Sequence, residues 1–228
     1  MTRFFYQCSV FVLAGLVVSC SSDPEPPLSD QAYNPLMKGH YQIYSVEETQ
    51  YSTSSDPVEL QYELMVVVVD SFLNAENSYT YVLHRSTREN ADDEWTYQDT
   101  WSVTQNQLRS VVYEETLPFV KIAFPSSVGR KWNGNAFNTL GTDEYEITSR
   151  GSYMVGADTF DDCVTVTQED NEDLIVFQDK RTEVYARGVG LVFSEVINLY
   201  YCTVNCSGLQ QIEHGIVYTQ SIKEYGIL

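Results

Sequence analysis

Residues 95–104 read WTYQDTWSVT. Trp95, Tyr97, Trp101 and Val103 stand at alternate positions, and Thr96, Gln98, Thr100, Ser102 and Thr104 fill the places between. Successive side chains on a strand point to opposite faces, so this period predicts a β-strand with one aromatic face and one wet face. The TQNQ that follows reads as a turn, and Leu108–Glu115 as the hairpin partner. Upstream, Leu60, Tyr62, Leu64, Val66 and Val68 repeat the same period. Downstream, strands are predicted over Pro118–Phe124, Asp143–Ser149, Cys163–Gln168, Leu174–Arg187, Leu191–Cys202 and Ile216–Tyr225. SSDP, RENADDE, QEDNED and GVG separate such runs and have turn chemistry. No helix-period run of useful length appears beyond the N-terminal segment. The expected fold is all-β: a large antiparallel meander of about ten to twelve strands, closing as a curved sheet or open barrel, with a two-layer β-sandwich as the alternative.

Composition supports this. Of 228 residues, 43% are hydrophobic, enough for a core, and the 17 Tyr and 10 Phe favour strands over helices. The 32 acids outnumber the 13 bases, for a net charge of −19. Nucleic-acid binding needs clustered Lys and Arg, and simple attraction to anionic headgroups needs the same, so both are excluded. The charge itself reads as a solubility device.

The N-terminus reads as an address. Arg3 is the sole charge before Asp23, and Val10–Val18 (VFVLAGLVV) is apolar or glycine throughout. A spanning helix needs about 20 apolar residues, so this nine-residue run suits a helical secretory signal segment instead. Val17, Val18 and Ser19 before Cys20 resemble the lipobox of bacterial lipoproteins, with Val where Leu is commoner. The resemblance implies cleavage before Cys20 and lipid attachment to its thiol, including palmitate-type acyl chains. Two or more chains anchor stably where one does not. Ser21–Asp30 (SSDPEPPLSD) then supplies prolines and acids without apolar period. The expected organisation is a signal peptide over 1–19, a lipidated cysteine and tether over 20–38, and one β-rich domain over 39–228. Ser21 is compatible with the outer membrane in enterobacterial sorting.

The cysteine count changes accordingly. Cys8 leaves with the signal and Cys20 carries lipid, so Cys163, Cys202 and Cys206 remain. On one extended strand Cys202 and Cys206 would lie about 13 Å apart. A bridge wants α-carbons within about 4.4–6.8 Å, so 202–206 pairing requires a turn, which a three-residue loop with Asn205 left-handed would provide. A cross-bridge from Cys163 and three free thiols are the alternatives. One C-x3-C and the scattered His40, His84 and His214 make no zinc set, and thiol-redox work lacks C-x-x-C.

Candidate chemistry is sparse. Glu169–Asp173 (EDNED) and Asp92–Glu94 (DDE) lack calcium-loop spacing and read as solvated turns. No G-x-S-x-G, H-E-x-x-H or P-loop is present. The row Trp95, Tyr97 and Trp101 is core if buried and a ligand-facing surface for sugar rings or an apolar molecule if open.

Three segments, FPSSVGRKWNGNAFNTLGTDEYEI (Phe124–Ile147), DTFDDCVTVTQ (Asp158–Gln168) and YARGVGLVFSEV (Tyr185–Val196), resemble uncharacterised envelope lipoproteins of the Bacteroidota type. The resemblance implies an envelope location and an all-β fold, and assigns no catalytic residue. The expected function is a non-enzymatic, lipid-anchored domain, monomeric, without metal or cofactor. It binds a hydrophobic or glycan ligand or a partner, or serves structurally; a carbohydrate-active hydrolase is the alternative.

Overall fold

The computed structural model describes residues 29–75 and 77–228. The signal segment, Cys8 and Cys20 lie outside the described residues. A 3₁₀ turn (Asp30–Tyr33) precedes twelve strands: β1 (His40–Ser52), β2 (Ser55–Leu73), β3 (Tyr79–Arg88), β4 (Thr96–Gln105), β5 (Arg109–Glu114), β6 (Leu117–Ala123), β7 (Lys131–Asn133), β8 (Glu144–Val155), β9 (Asp158–Asn171), β10 (Phe177–Ala186), β11 (Gly190–Tyr201) and β12 (Ile212–Ile227). They form one antiparallel sheet in the order β6-β5-β4-β3-β2-β1-β12-β11-β10-β9-β8-β7. The sheet curls into a nearly closed barrel, which is the meander expected from the period of two. A single continuous sheet leaves no second layer, so the sandwich alternative falls. Among the described residues no helix is long and apolar enough to cross a membrane.

The first and last strands pair from His40↔Ile227 to Tyr51↔Gly215. The two sheet edges, β6 and β7, are consecutive in the chain and meet without a full ladder. Val120 N–H donates to the Gly134 carbonyl at 2.8 Å, the Trp132 indole N–H to Val120 O at 2.7 Å, and Asn138 Nδ2 to Pro118 O at 2.9 Å. Gly134 is glycine because the Tyr145 ring lies against it: a Cβ there would sit 2.3 Å from Tyr145 Cζ. Tyr145 is buried and meets Trp132 edge-on at 6.0 Å. The seam is therefore a side-chain lock where a strand ladder would otherwise run.

Strand direction sorts the connections. The β1–β2, β3–β4, β5–β6, β7–β8, β9–β10 and β11–β12 connections gather at one end, the rim, and the others at the base. The base is occupied by Ser29–Asn34. Tyr33 is 0% exposed, packs with Ile122, Phe124, Tyr145 and Ile147, and donates from its hydroxyl to Asp162 at 2.6 Å. Arg187 binds Asp162 at 2.6 Å and Asp30 at 3.1 Å, with its guanidinium 4.3 Å over the Tyr33 ring. Asn34 Nδ2 donates to Ser110 Oγ at 2.7 Å, and Gly188 N–H to Ala32 O at 2.7 Å. Of the stretch read as tether over 20–38, the part from Ser29 onward is thus folded into the base. One buried tyrosine and one neutralising aspartate dock it, too few residues to make a period that sequence reading could see.

Two outcomes are expected. Replacing Gly134 with Ala must displace the buried Tyr145 ring, at a cost of about 1–3 kcal/mol, read from denaturant unfolding. The second concerns acid. Partial burial of Asp162 would raise its pKa, but the Tyr33 hydroxyl and Arg187 outweigh it, and the net lies below the ordinary 3.8. Burial likewise acts against the ion pairs of Glu63 with Lys223 and Arg88, and its net lies below 4.5. A carboxylate whose folded pKa is depressed stabilises fully above its unfolded pKa and loses that contribution as pH falls through the folded one. The melting temperature should therefore hold from neutral pH to roughly pH 5 and fall below roughly pH 4, and Asp162→Asn should flatten that fall.

Candidate functional site

The interior of the barrel holds a cavity of about 350 Å³. Its walls differ. Leu64 and Val66 of β2, Leu83 of β3, Val103 of β4 and Val112 of β5 make an apolar side. Lys121 of β6, Gln168 of β9, Glu183 and Tyr185 of β10, Ser194 of β11 and Gln220 of β12 make a polar one. The period of two explains why inward positions align, and the polar choice at these positions is what distinguishes this interior from a filled core. Above it, toward the rim, a wider cleft of about 1,030 Å³ shares Tyr62, Leu64 and Arg85 with the cavity and continues to Glu48, Arg88, Asp93 and Gln98.

Every charged side chain lining the cavity has an opposite partner. The Lys121 ammonium lies 2.7 Å from Glu114 and 3.0 Å from Glu183. Burial would depress the Lys121 pKa, but Glu183 and Glu114 overcome it and hold the pKa above the ordinary range. Glu183 also accepts from the Tyr185 hydroxyl at 2.6 Å, and burial with that neighbouring carboxylate drives the Tyr185 pKa well up. Arg85 binds Asp99 at 2.8 Å and lies 3.8 Å over the Trp101 ring. Among the described residues, three buried side-chain atoms lack a partner: Trp101 Nε1, Gln168 Nε2 and Asp99 Oδ1. Two of those residues, Trp101 and Gln168, line the cavity.

The residues singled out from sequence separate here. Trp101 faces the cavity. Tyr97 does not: it is 58% exposed and meets His84 on the outer surface with ring centroids 5.6 Å apart. A bulge lies between the pairs Arg85↔Asp99 and Ser86↔Tyr97, so the alternation slips by one at Gln98 and the single aromatic face does not form. Trp95 sits just before β4 with the Arg88 guanidinium 4.2 Å over its ring. Cys202 and Cys206 are joined, with α-carbons 5.6 Å apart, in the β11–β12 connection, and Asn205 there is left-handed at φ 64°. Cys163 is a buried thiol whose pKa burial raises to about 11. No cluster of metal-ligating side chains occurs among the described residues. DDE falls in the β3–β4 rim loop, whereas EDNED begins as the last three residues of β9, paired with β10, and only Glu172 and Asp173 lie in the rim loop that follows.

Sequence reading passed over Lys121, Glu114, Glu183 and Gln168. They are far apart in the chain and occupy positions that look like an ordinary wet strand face. The signal that could have found them is the lysine in PFVKIAF (Pro118–Phe124), a charge inside an otherwise apolar run.

Removing the cation tests this arrangement. Lys121→Met leaves two inward carboxylates without their partner and should destabilise by about 3 kcal/mol, whereas Lys131→Met, at an exposed and solvent-screened pair, should leave stability essentially unchanged, both read from chemical denaturation.

No family model and no curated protein matches the chain. Among solved structures, it is similar to a candidate exported protein with a YmcC-like fold from Bacteroides fragilis, at 10% identity and a TM-score of 0.46, covering 85% of this chain and 98% of that one. It is also similar to a candidate lipoprotein from Parabacteroides distasonis, at 10% identity and a TM-score of 0.41, with 85% of this chain and 98% of that chain covered.

Proposed function

We propose that this chain is a lipid-anchored envelope lipoprotein, held through acyl chains on Cys20 and exposed from the outer membrane, whose barrel binds a ligand without transforming it. The observation that carries the reading is a barrel shut at its base by Ser29–Asn34 and open at its rim into a cleft and an inner cavity. The chain enters the fold at the base. An anchor upstream of Ser29 therefore lies at the closed end, and the mouth opens at the opposite one.

A hydrolase of glycosidic bonds wants two carboxylates facing each other across substrate, one of them free to donate a proton. The cavity's Glu114 and Glu183 instead both bind Lys121, so the ammonium occupies the place between them. That arrangement favours binding over hydrolysis. The Cys202–Cys206 link tightens the rim loop beside the mouth and suits an oxidising compartment. Among the described residues the two sheet edges, β6 and β7, turn toward each other and are tied by the Val120–Gly134 and Trp132–Val120 bonds, which supports a monomer.

Wild type should sediment with membranes and incorporate an alkyne-tagged fatty acid, while Cys20→Ser should be unlabelled and released to the soluble fraction. A Cys20→Ser chain that stays membrane-bound, with unlabelled wild type, would sink the anchor. Non-reducing peptide mapping should recover the peptide holding Cys202 and Cys206 as a linked species, with Cys163 free.

A further inference from the structure

The lining of the inner cavity specifies what it receives. Its charges are already satisfied: Lys121 by Glu114 and Glu183, and Arg85 by Asp99. An ionic ligand would have to break a buried pair to gain one, which returns little. Gln168 is 6% exposed and its amide nitrogen has no partner, and the Trp101 indole N–H is likewise unpartnered. Both donors belong to residues that line the cavity, and Asp99, whose Oδ1 is the third unpartnered atom, lines the wider cleft above it. A buried polar atom left unmade costs free energy, and an acyl chain would leave all three so. What satisfies donors and an acceptor together is a hydroxyl, which both gives and takes.

The two walls add shape. An apolar side of Leu83, Val103 and Val112 faces a polar side of Gln168, Ser194 and Gln220. A pyranose ring has that asymmetry, with C–H bonds on one face and hydroxyls around its edge. The volume of about 350 Å³ is at the small end of ligand pockets.

We infer that the inner cavity takes a pyranose ring of a neutral glycan, held by hydroxyl contacts to Gln168 of β9 on the polar side and to the Trp101 indole N–H of β4, with its C–H face against Leu83, Val103 and Val112. This rests on the ligand-binding reading above and goes on to name the ligand class. The ring enters from the rim, and the wider cleft has room for further units, so both a free sugar and the end of a longer chain carry the required chemistry.

Calorimetric titration of the purified full chain tests this. The probes are glucose, galactose, N-acetylglucosamine and their neutral oligomers, with glucuronate and palmitate as contrasts. Saturable binding of a neutral sugar is expected, with little for glucuronate or palmitate. Gln168→Met keeps the side-chain volume and removes the donor, and should weaken binding by about tenfold. Trp101→Phe keeps an aromatic ring under Arg85 and should weaken it similarly, so the test survives if one variant fails to fold. Leu209→Ser, on the exposed rim, should leave affinity unchanged. Equal affinity for monomer and oligomer identifies a free sugar; a gain with length identifies a chain end. Palmitate binding without sugar binding overturns the sugar class and leaves the binding reading standing, and so does a preference for glucuronate. No saturable heat from any probe overturns both.

Discussion

Everything in this molecule depends on the pairing of its first strand with its last. Ten hairpin pairings by themselves make two six-stranded meanders, β1–β6 and β7–β12, and β1 against β12 joins them and puts the chain's two ends in the middle of the sheet. The sheet then has to close elsewhere, between β6 and β7, where Gly134 and the Trp132 indole tie the edges by single bonds. Closure creates an inside, and an inside forces the choice between filling it and lining it. Here the residues on β6 and β9–β12 line it.

A lined interior is a demanding arrangement. Buried polar groups strengthen one another when satisfied and cost most when they are not. The ring from Tyr185 through Glu183 and Lys121 to Glu114 is satisfied within itself, and Tyr218 donates to Gln220 at 2.6 Å on the neighbouring wall. These contacts fix side-chain positions without help from outside. Gln168 and Trp101 stand apart from that closed set. The contrast between a self-sufficient network and two unpartnered donors within one cavity is what the proposed recognition rests on.

The strand pattern was readable because period two survives wherever one face is inside. Leu60 to Val68 shows it, with Tyr62, Leu64 and Val66 all bordering the two hollows. The pattern misled at Tyr97, since a bulge shifts the face without changing residue types, and nothing in WTYQDTW marks Gln98 as the extra residue. β7 is three residues long, too short for periodicity to register. The base segment was read as spacer because its docking rests on Tyr33, Asp30 and Asn34, isolated among prolines and polar residues. The cavity was invisible for a different reason. A polar residue facing inward and one facing water look alike until closure decides which side is which.

The β1–β12 ladder also orders events in time. Local hairpins from β1 to β11 can form as soon as each partner strand is available, because their loops are short. The ladder between His40–Tyr51 and Gly215–Ile227 spans nearly the whole chain, and its loop-closure entropy must be met before any of its hydrogen bonds form. Because the chain is made from its N-terminus, β1 is available early and waits with one unsatisfied edge until the last sixteen-residue strand follows. That exposed edge is the interval in which the nascent chain is open to wrong strand partners, and the interval ends only with β12 in place.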